Sequence, residues 1–254
     1  MQEAIRASFD DMNRMLGERP GLEFPGAMIF AERTIASFLA RFDAIFTLNQ
    51  DLLLELHYTL PIAPAGRQRW ADRPQLPGIR VPPNFWTLRT EERLIAEWQP
   101  LPENDYRVEH GSQPIFKLHG SVNWRSANGG DLLVMGANKV AAIAGSSLLT
   151  WYANEFRERL RERGSRLMTI GYGFGDQHIN SEIVEAANAD PTFGLFVVDP
   201  NGRKVFRPRP EGQIPAGRLP IEEVRYIGGS ARPLRSTFTD DELERQKLMR
   251  FFDA

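Results

Sequence analysis

Short runs of apolar residues alternate along this chain with longer stretches in which apolar residues recur every three or four positions. The first pattern predicts buried strands and the second amphipathic helices, so their order predicts the architecture. Ile5, Phe9, Met12 and Leu16 fall on one helical face over residues 1–16, and GERPGLEFPG then breaks the pattern with glycine and proline. A second helical pattern over 29–42 runs into a short buried strand, Ala44–Thr47, after which Asp51 opens a helix. From residue 61 to 113 the periodicity is lost in a proline- and arginine-rich insertion, which carries one helical pattern near 90–98. A strand over 114–118 and a shorter one near 131–135, ending in a glycine-rich turn, precede a helix over 147–163 with Ser146 or Ser147 as its cap and Gly164 beyond its end. RLMTI then predicts a strand, Asp176–Ala189 a helix and GLFVV a strand. A proline- and basic-rich excursion over 203–221, a last strand in EEVRYIGG and a helix opened by the capping box TDDE at 239–242 complete the chain.

Buried strands alternating with helices predict an α/β fold in which a mainly parallel sheet is covered on both faces, a three-layer sandwich. The 254 residues fit one domain, 1–254, with 61–113 as a lid or small lobe. Trp70, Phe85, Trp86 and Trp98 are costly to leave in water and are expected to dock that insertion on the rest. A hydrophobic content of 42% supports a core, and a formal charge of −2 with interspersed signs gives no field that calls for nucleic acid or anionic lipid. The absence of cysteine excludes disulfides, thiolate catalysis and cysteine-held zinc. No apolar run reaches the roughly 18 to 20 residues that cross a bilayer, and the amino terminus lacks the order of a secretion signal, so a cytoplasmic protein without membrane contacts is expected.

Sites in parallel sheets lie at the carboxyl ends of the strands. Four predicted strands end in polar or glycine-rich turns: Thr47–Asp51, Leu118–Ser121, Gly171–Asp176 and Asp199–Asn201. If the strands are parallel, these turns converge on one cleft holding an amide, an imidazole, close-approach glycines and a carboxylate. Each piece also has a plainer reading. Asn49 and Asp51 could satisfy turn or cap amides, the reading kept for Asp51, and His119 could be a core hydrogen-bonding group. His57 and His110 look solvated. His178, in the first helical turn after Asp176, packs as readily as it binds, and a metal held by His119, Asp176 and His178 has no ligand spacing behind it.

With FTLNQD, KLHGSVNW, GYGFGDQHIN and VVDPN in this order over about residues 43 to 201, the chain resembles the bacterial SIR2-like, sirtuin-related domains. The resemblance implies a Rossmann-like domain that takes nicotinamide adenine dinucleotide (NAD) as substrate, with Asn49 and His119 in the catalytic positions. Thr47, Gly171, Gly173, Phe174, Asp199 and Asn201 are implied as nucleotide contacts, Asp199 at the adenosine ribose. NAD hydrolysis in antiviral defence is the implied activity, alongside a homo-oligomer or a partner protein encoded nearby. A non-catalytic NAD or nucleotide sensor is the alternative reading. Lysine deacylation is disfavoured, because the four-cysteine zinc ribbon of the deacylases has no counterpart, and no zinc is expected. The family's opening strand and glycine turn also have no match, since Gly17, Gly21 and Gly26 follow a helical pattern. Either the start codon is set downstream of that element or this form lacks it, and turnover is expected only where a pyrophosphate-binding element is supplied. Gly173 stands where relatives commonly carry serine.

Overall fold

The computed structural model describes residues 2–24, 34–59, 69–126, 128–136, 138–206 and 225–253. The expected helix start at 29–33, the opening of the insertion at 61–68 and the excursion over 207–221 lie outside them. The chain divides into two compact units, Met1–Ala153 and Asn154–Ala254.

The first unit runs α1 (Gln2–Gly17), α2 (Ile35–Leu39), β1 (Ile45–Thr47), α3 (Leu53–His57), β2 (Ile79–Arg80), α4 (Thr90–Ile95), β3 (Gln99–Pro100), β4 (Ile115–Lys117), β5 (Gly120–Arg125), β6 (Asp131–Leu133) and α5 (Lys139–Ala144). β1 and β4 pair in parallel, Thr47 opposite Lys117, whereas β2 with β3 and β5 with β6 form antiparallel ribbons. Phe46 stacks on Phe116 across the parallel pair with ring centroids 4.8 Å apart, and Phe116 meets the buried Tyr152 edge-on at 5.0 Å. The α1 face read from the sequence is the one that docks: Phe9 and Leu16 pack against Leu52, Leu56 and Val122. Two polar contacts fix its register, since Asn13 Oδ1 accepts the Leu52 N–H at 2.9 Å and His57 Nε2 lies 2.7 Å from the Leu16 carbonyl oxygen. His57 is therefore half-buried and engaged, where a solvated ring was expected.

Within the insertion, Phe85 and Trp98 are buried and the Trp70 indole N–H donates to the Ala40 carbonyl at 2.8 Å. Gln75 and Pro114 form a parallel bridge, so part of this segment runs beside β4.

The second unit is entered by α6 (Ser147–Arg161), whose cap is Ser146: its hydroxyl accepts the Leu149 N–H at 3.3 Å. β7 (Arg166–Ile170), α7 (Gln177–Ala189), β8 (Gly194–Val198), β9 (Tyr226–Ser230), α8 (Leu234–Thr239) and α9 (Glu242–Met249) follow. β7, β8 and β9 make a three-stranded sheet, parallel throughout, in that order.

The architecture is mixed α/β with small parallel sheets; among the described residues β1–β4 and β7–β8–β9 are separate ladders. Several elements differ from the sequence pattern, among them the β2–β3 ribbon within the insertion. β5 begins within an expected turn, and its buried Arg125 is accommodated by pairing with Glu97 at 2.8 Å and Asp131 at 2.9 Å. α5 occupies the glycine-rich stretch before α6, and α8 precedes the terminal helix. That helix is capped by Asp241, which accepts the Glu244 N–H at 3.0 Å, two residues beyond the Thr239 expected.

At the amino ends of β7 and β8 the Asp190 carboxylate accepts from the Thr192 hydroxyl at 2.6 Å, the Gly164 N–H at 2.6 Å and the Thr192 N–H at 2.8 Å. These bonds, the Thr192 hydroxyl foremost, lower its pKa from 3.8 to about 2. A carboxyl depressed on folding stabilises fully above its unfolded value, and that contribution fades as pH falls from about 4 towards 2. Asp190→Ala is accordingly expected to lower the melting temperature at neutral pH and to flatten its fall across that acid window, as measured by thermal unfolding at a series of pH values.

Candidate functional site

The parallel register of β1 and β4 brings the turns that follow them to one edge. The Leu118 N–H donates to the Thr47 carbonyl at 3.0 Å and the Val122 N–H to the Gln50 carbonyl at 3.1 Å. The Gln50 side-chain amide donates to the carbonyls of His119, at 3.3 Å, and Val134, at 2.5 Å. Thr47 Oγ1 accepts the Asn49 N–H at 3.0 Å, which tightens the first turn and leaves Asn49 exposed. His119 is buried. Gly120 sits at φ +72°, and a Cβ there would collide with the Leu132 carbonyl oxygen, so only glycine lets the chain turn from His119 into β5. Asn49 and His119 thus stand on adjoining, cross-bonded turns at the carboxyl ends of neighbouring parallel strands.

Beneath these turns lies a feature the sequence reading passed over. The Lys117 side chain is 2% exposed and that of Glu55 1%, and their charged ends meet at 2.7 Å. Lys117 Nζ also donates to Ser121 Oγ at 2.8 Å and to the Asp51 carbonyl at 2.5 Å, so all three ammonium protons are used. Asp51 keeps its structural role, its carboxylate accepting the Leu53 N–H at 2.9 Å. The signal available was one ionisable residue inside each apolar run, Lys in IFKL and Glu in LLLEL.

The second unit carries the remaining turns on the edge formed by the carboxyl ends of β7, β8 and β9. Gly171 has φ +64°, and a Cβ added at Gly171 or Gly173 would meet no atom of the described residues within 4 Å. Phe174 is buried with φ +52°, a left-handed conformation costly for an aromatic residue. Asn180 of α7 holds it there: Asn180 Nδ2 donates to the Phe174 carbonyl at 2.9 Å, while Asn180 Oδ1 accepts the Tyr172 hydroxyl at 2.9 Å. Burial pushes the Tyr172 phenol well above its usual pKa, so it remains a donor. Asp199 is buried and accepts the Asn201 N–H at 2.7 Å, and Asn201 is exposed beside it. Asp176 occupies the N-cap position of α7 without a side-chain cap bond, and His178 is half-buried in the first turn.

The SIR2-like domain family model matches residues 43–211, more than half of the chain and a span that contains all four turns. The chain belongs to the SIR2-like family, and membership implies an NAD-related, sirtuin-like function. Among curated proteins the chain finds no significant match.

Asn180→Ala removes both the clamp on Phe174 and a partner of Tyr172. It is expected to destabilise the protein by about 1–3 kcal/mol, the usual cost of unsatisfied buried polar groups, read from denaturant unfolding. The amides of 171–176 are expected to exchange hydrogen faster, whereas those of β4 are not.

Proposed function

We propose that the protein hydrolyses NAD to nicotinamide and ADP-ribose where a pyrophosphate-binding element is supplied to it. The observation that carries the proposal is the cross-bonded pair of turns bearing Asn49 and His119 at one parallel-strand edge of a SIR2-like chain. In this reading the nicotinamide ribose sits at that edge. Gly171, Gly173 and Phe174 approach the nucleotide, Thr47 lines the catalytic turn, and Asp199 and Asn201 take the adenosine ribose. The Rossmann-like three-layer sandwich with a mainly parallel sheet, and the lid role of the insertion, extend this reading on the family's resemblance alone.

The chemistry follows from the groups. The bond from ribose C1 to the nicotinamide nitrogen breaks with its electron pair leaving on the ring, through an oxocarbenium-like state, as in glycoside hydrolysis. A water on the opposite face forms the new C–O bond, and the imidazole of His119 takes its proton directly or through a ribose hydroxyl. Asn49 does not titrate; its carboxamide orients water and ribose. No metal enters the scheme. A defence role for this activity, in the cytoplasm and in a homo-oligomer or with a partner protein, extends the proposal on the family's resemblance alone.

His119→Ala is expected to lower nicotinamide release by about a hundredfold to ten-thousandfold, the usual cost of losing a general base, with NAD binding retained. Asn49→Ala is expected to cut turnover while leaving the dissociation constant close to that of the wild type. Chromatography of nicotinamide, calorimetry with NAD and circular dichroism to verify folding make the measurement. Undiminished release in His119→Ala would reject the assignment, and tight binding with no turnover in the wild type would replace the enzyme by a nucleotide sensor.

A further inference from the structure

We propose that the buried Lys117–Glu55 pair is a positioning device for the Asn49 and His119 turns rather than a stabilising element, an inference that rests on the NAD-hydrolysing reading. The three acceptors around Lys117 Nζ belong to three separate segments: Glu55 to α3, Asp51 to the turn after β1, and Ser121 to the start of β5, just past the His119 turn. Lys117 stands two residues before His119, and the Asp51 carbonyl two residues after Asn49. One ammonium therefore fixes both turns against the same helix. Ser121 Oγ adds to the closure, lying 3.3 Å from both the Gln50 carbonyl and Glu55 Oε1.

Stability alone does not explain the pair. Desolvating two charges commonly costs as much as their attraction returns, and apolar side chains of similar volume often serve as well or better. Here the cost is raised further, because the second carboxylate oxygen, Glu55 Oε2, is buried with no hydrogen-bond partner among the described residues. What apolar residues could not supply is three directional bonds to three segments. An ammonium on a strand end supplies them, and the geometry of the two turns follows from where its protons point.

The test is the double variant Lys117→Met/Glu55→Leu in the full chain, which removes both charges and leaves neither buried alone. It is expected to unfold cooperatively near the wild-type temperature and to bind NAD within about threefold of wild type. Its kcat is expected to fall tenfold or more, as misplaced reacting groups require. Wild-type kcat in a stable double variant would overturn the proposal. If the double variant fails to fold, Ser121→Ala decides, since it removes one acceptor without stranding a charge. A severalfold loss of kcat at unchanged affinity is expected there, and unchanged kcat would again overturn the proposal. A wild type without turnover would sink the hydrolase reading and with it the catalytic purpose of the pair; whether the pair sets the turn geometry is then read separately from the His119 ring signals in NMR spectra. They are expected to shift in whichever of these variants folds while those of the exposed His110 stay in place, and an unmoved His119 would contradict the positioning role.

Discussion

The Lys117 ammonium is the constraint on which the first unit's strand edge depends. Burying a lysine is expensive, and the cost is tolerable only because a carboxylate, a hydroxyl and a carbonyl accept its protons at 2.5–2.8 Å. Once those bonds exist, little freedom is left around them. α3 is held against β4, and the turn after β1 is drawn onto the turn after β4. The Gln50 amide, bonded to the His119 carbonyl, closes the gap between them. The aromatic layer beneath, Phe46 on Phe116 against Tyr152, supplies a bulk that tolerates no slippage of the β1–β4 register. Polar bonds set direction here and packing sets distance.

The second unit solves a similar problem with strain in place of charge. A glycine-rich turn can approach a ligand backbone-first because it carries no side chains, but such a turn is floppy unless something fixes it. Phe174 fixes it by burying its ring while its backbone sits in the left-handed region, and Asn180 and Tyr172 hold the strained residue in place. The turn that presents Gly171 and Gly173 is thereby anchored to α7 through Phe174 and Tyr172.

Much of this was legible in the sequence, and for identifiable reasons. α1, α6, α7 and the strands β7 and β8 follow from apolar periodicity, although only β8 is buried along its whole length, while β7 buries Thr169 and leaves Ile170 exposed. The family was legible because its marks are turn residues, whose chemistry is local: Asn49 after a strand, His119 before a glycine, the GYGFGD run. What was not legible depends on distant partners. β5 begins within an expected turn, and its buried Arg125 is accommodated by pairing with Glu97 and Asp131. Lys117 and Glu55 look like ordinary surface charges until the fold brings them together across 62 residues of chain. Asn180 looks like one more helix polar residue until Phe174 is seen to need it. The breadth of the sheet was also hidden, because periodicity predicts strands but not which strands share a ladder.

The most direct measurement is a crystal structure of the full-length His119→Ala variant, slowed in turnover, with NAD bound. The expected density places the ribose C1 of the nicotinamide end at the β1–β4 edge, within about 4 Å of the Asn49 carboxamide and facing the space left at position 119. An NAD molecule bound elsewhere, or bound with its nicotinamide ribose away from Asn49, would contradict the assignment of this edge as the reacting centre.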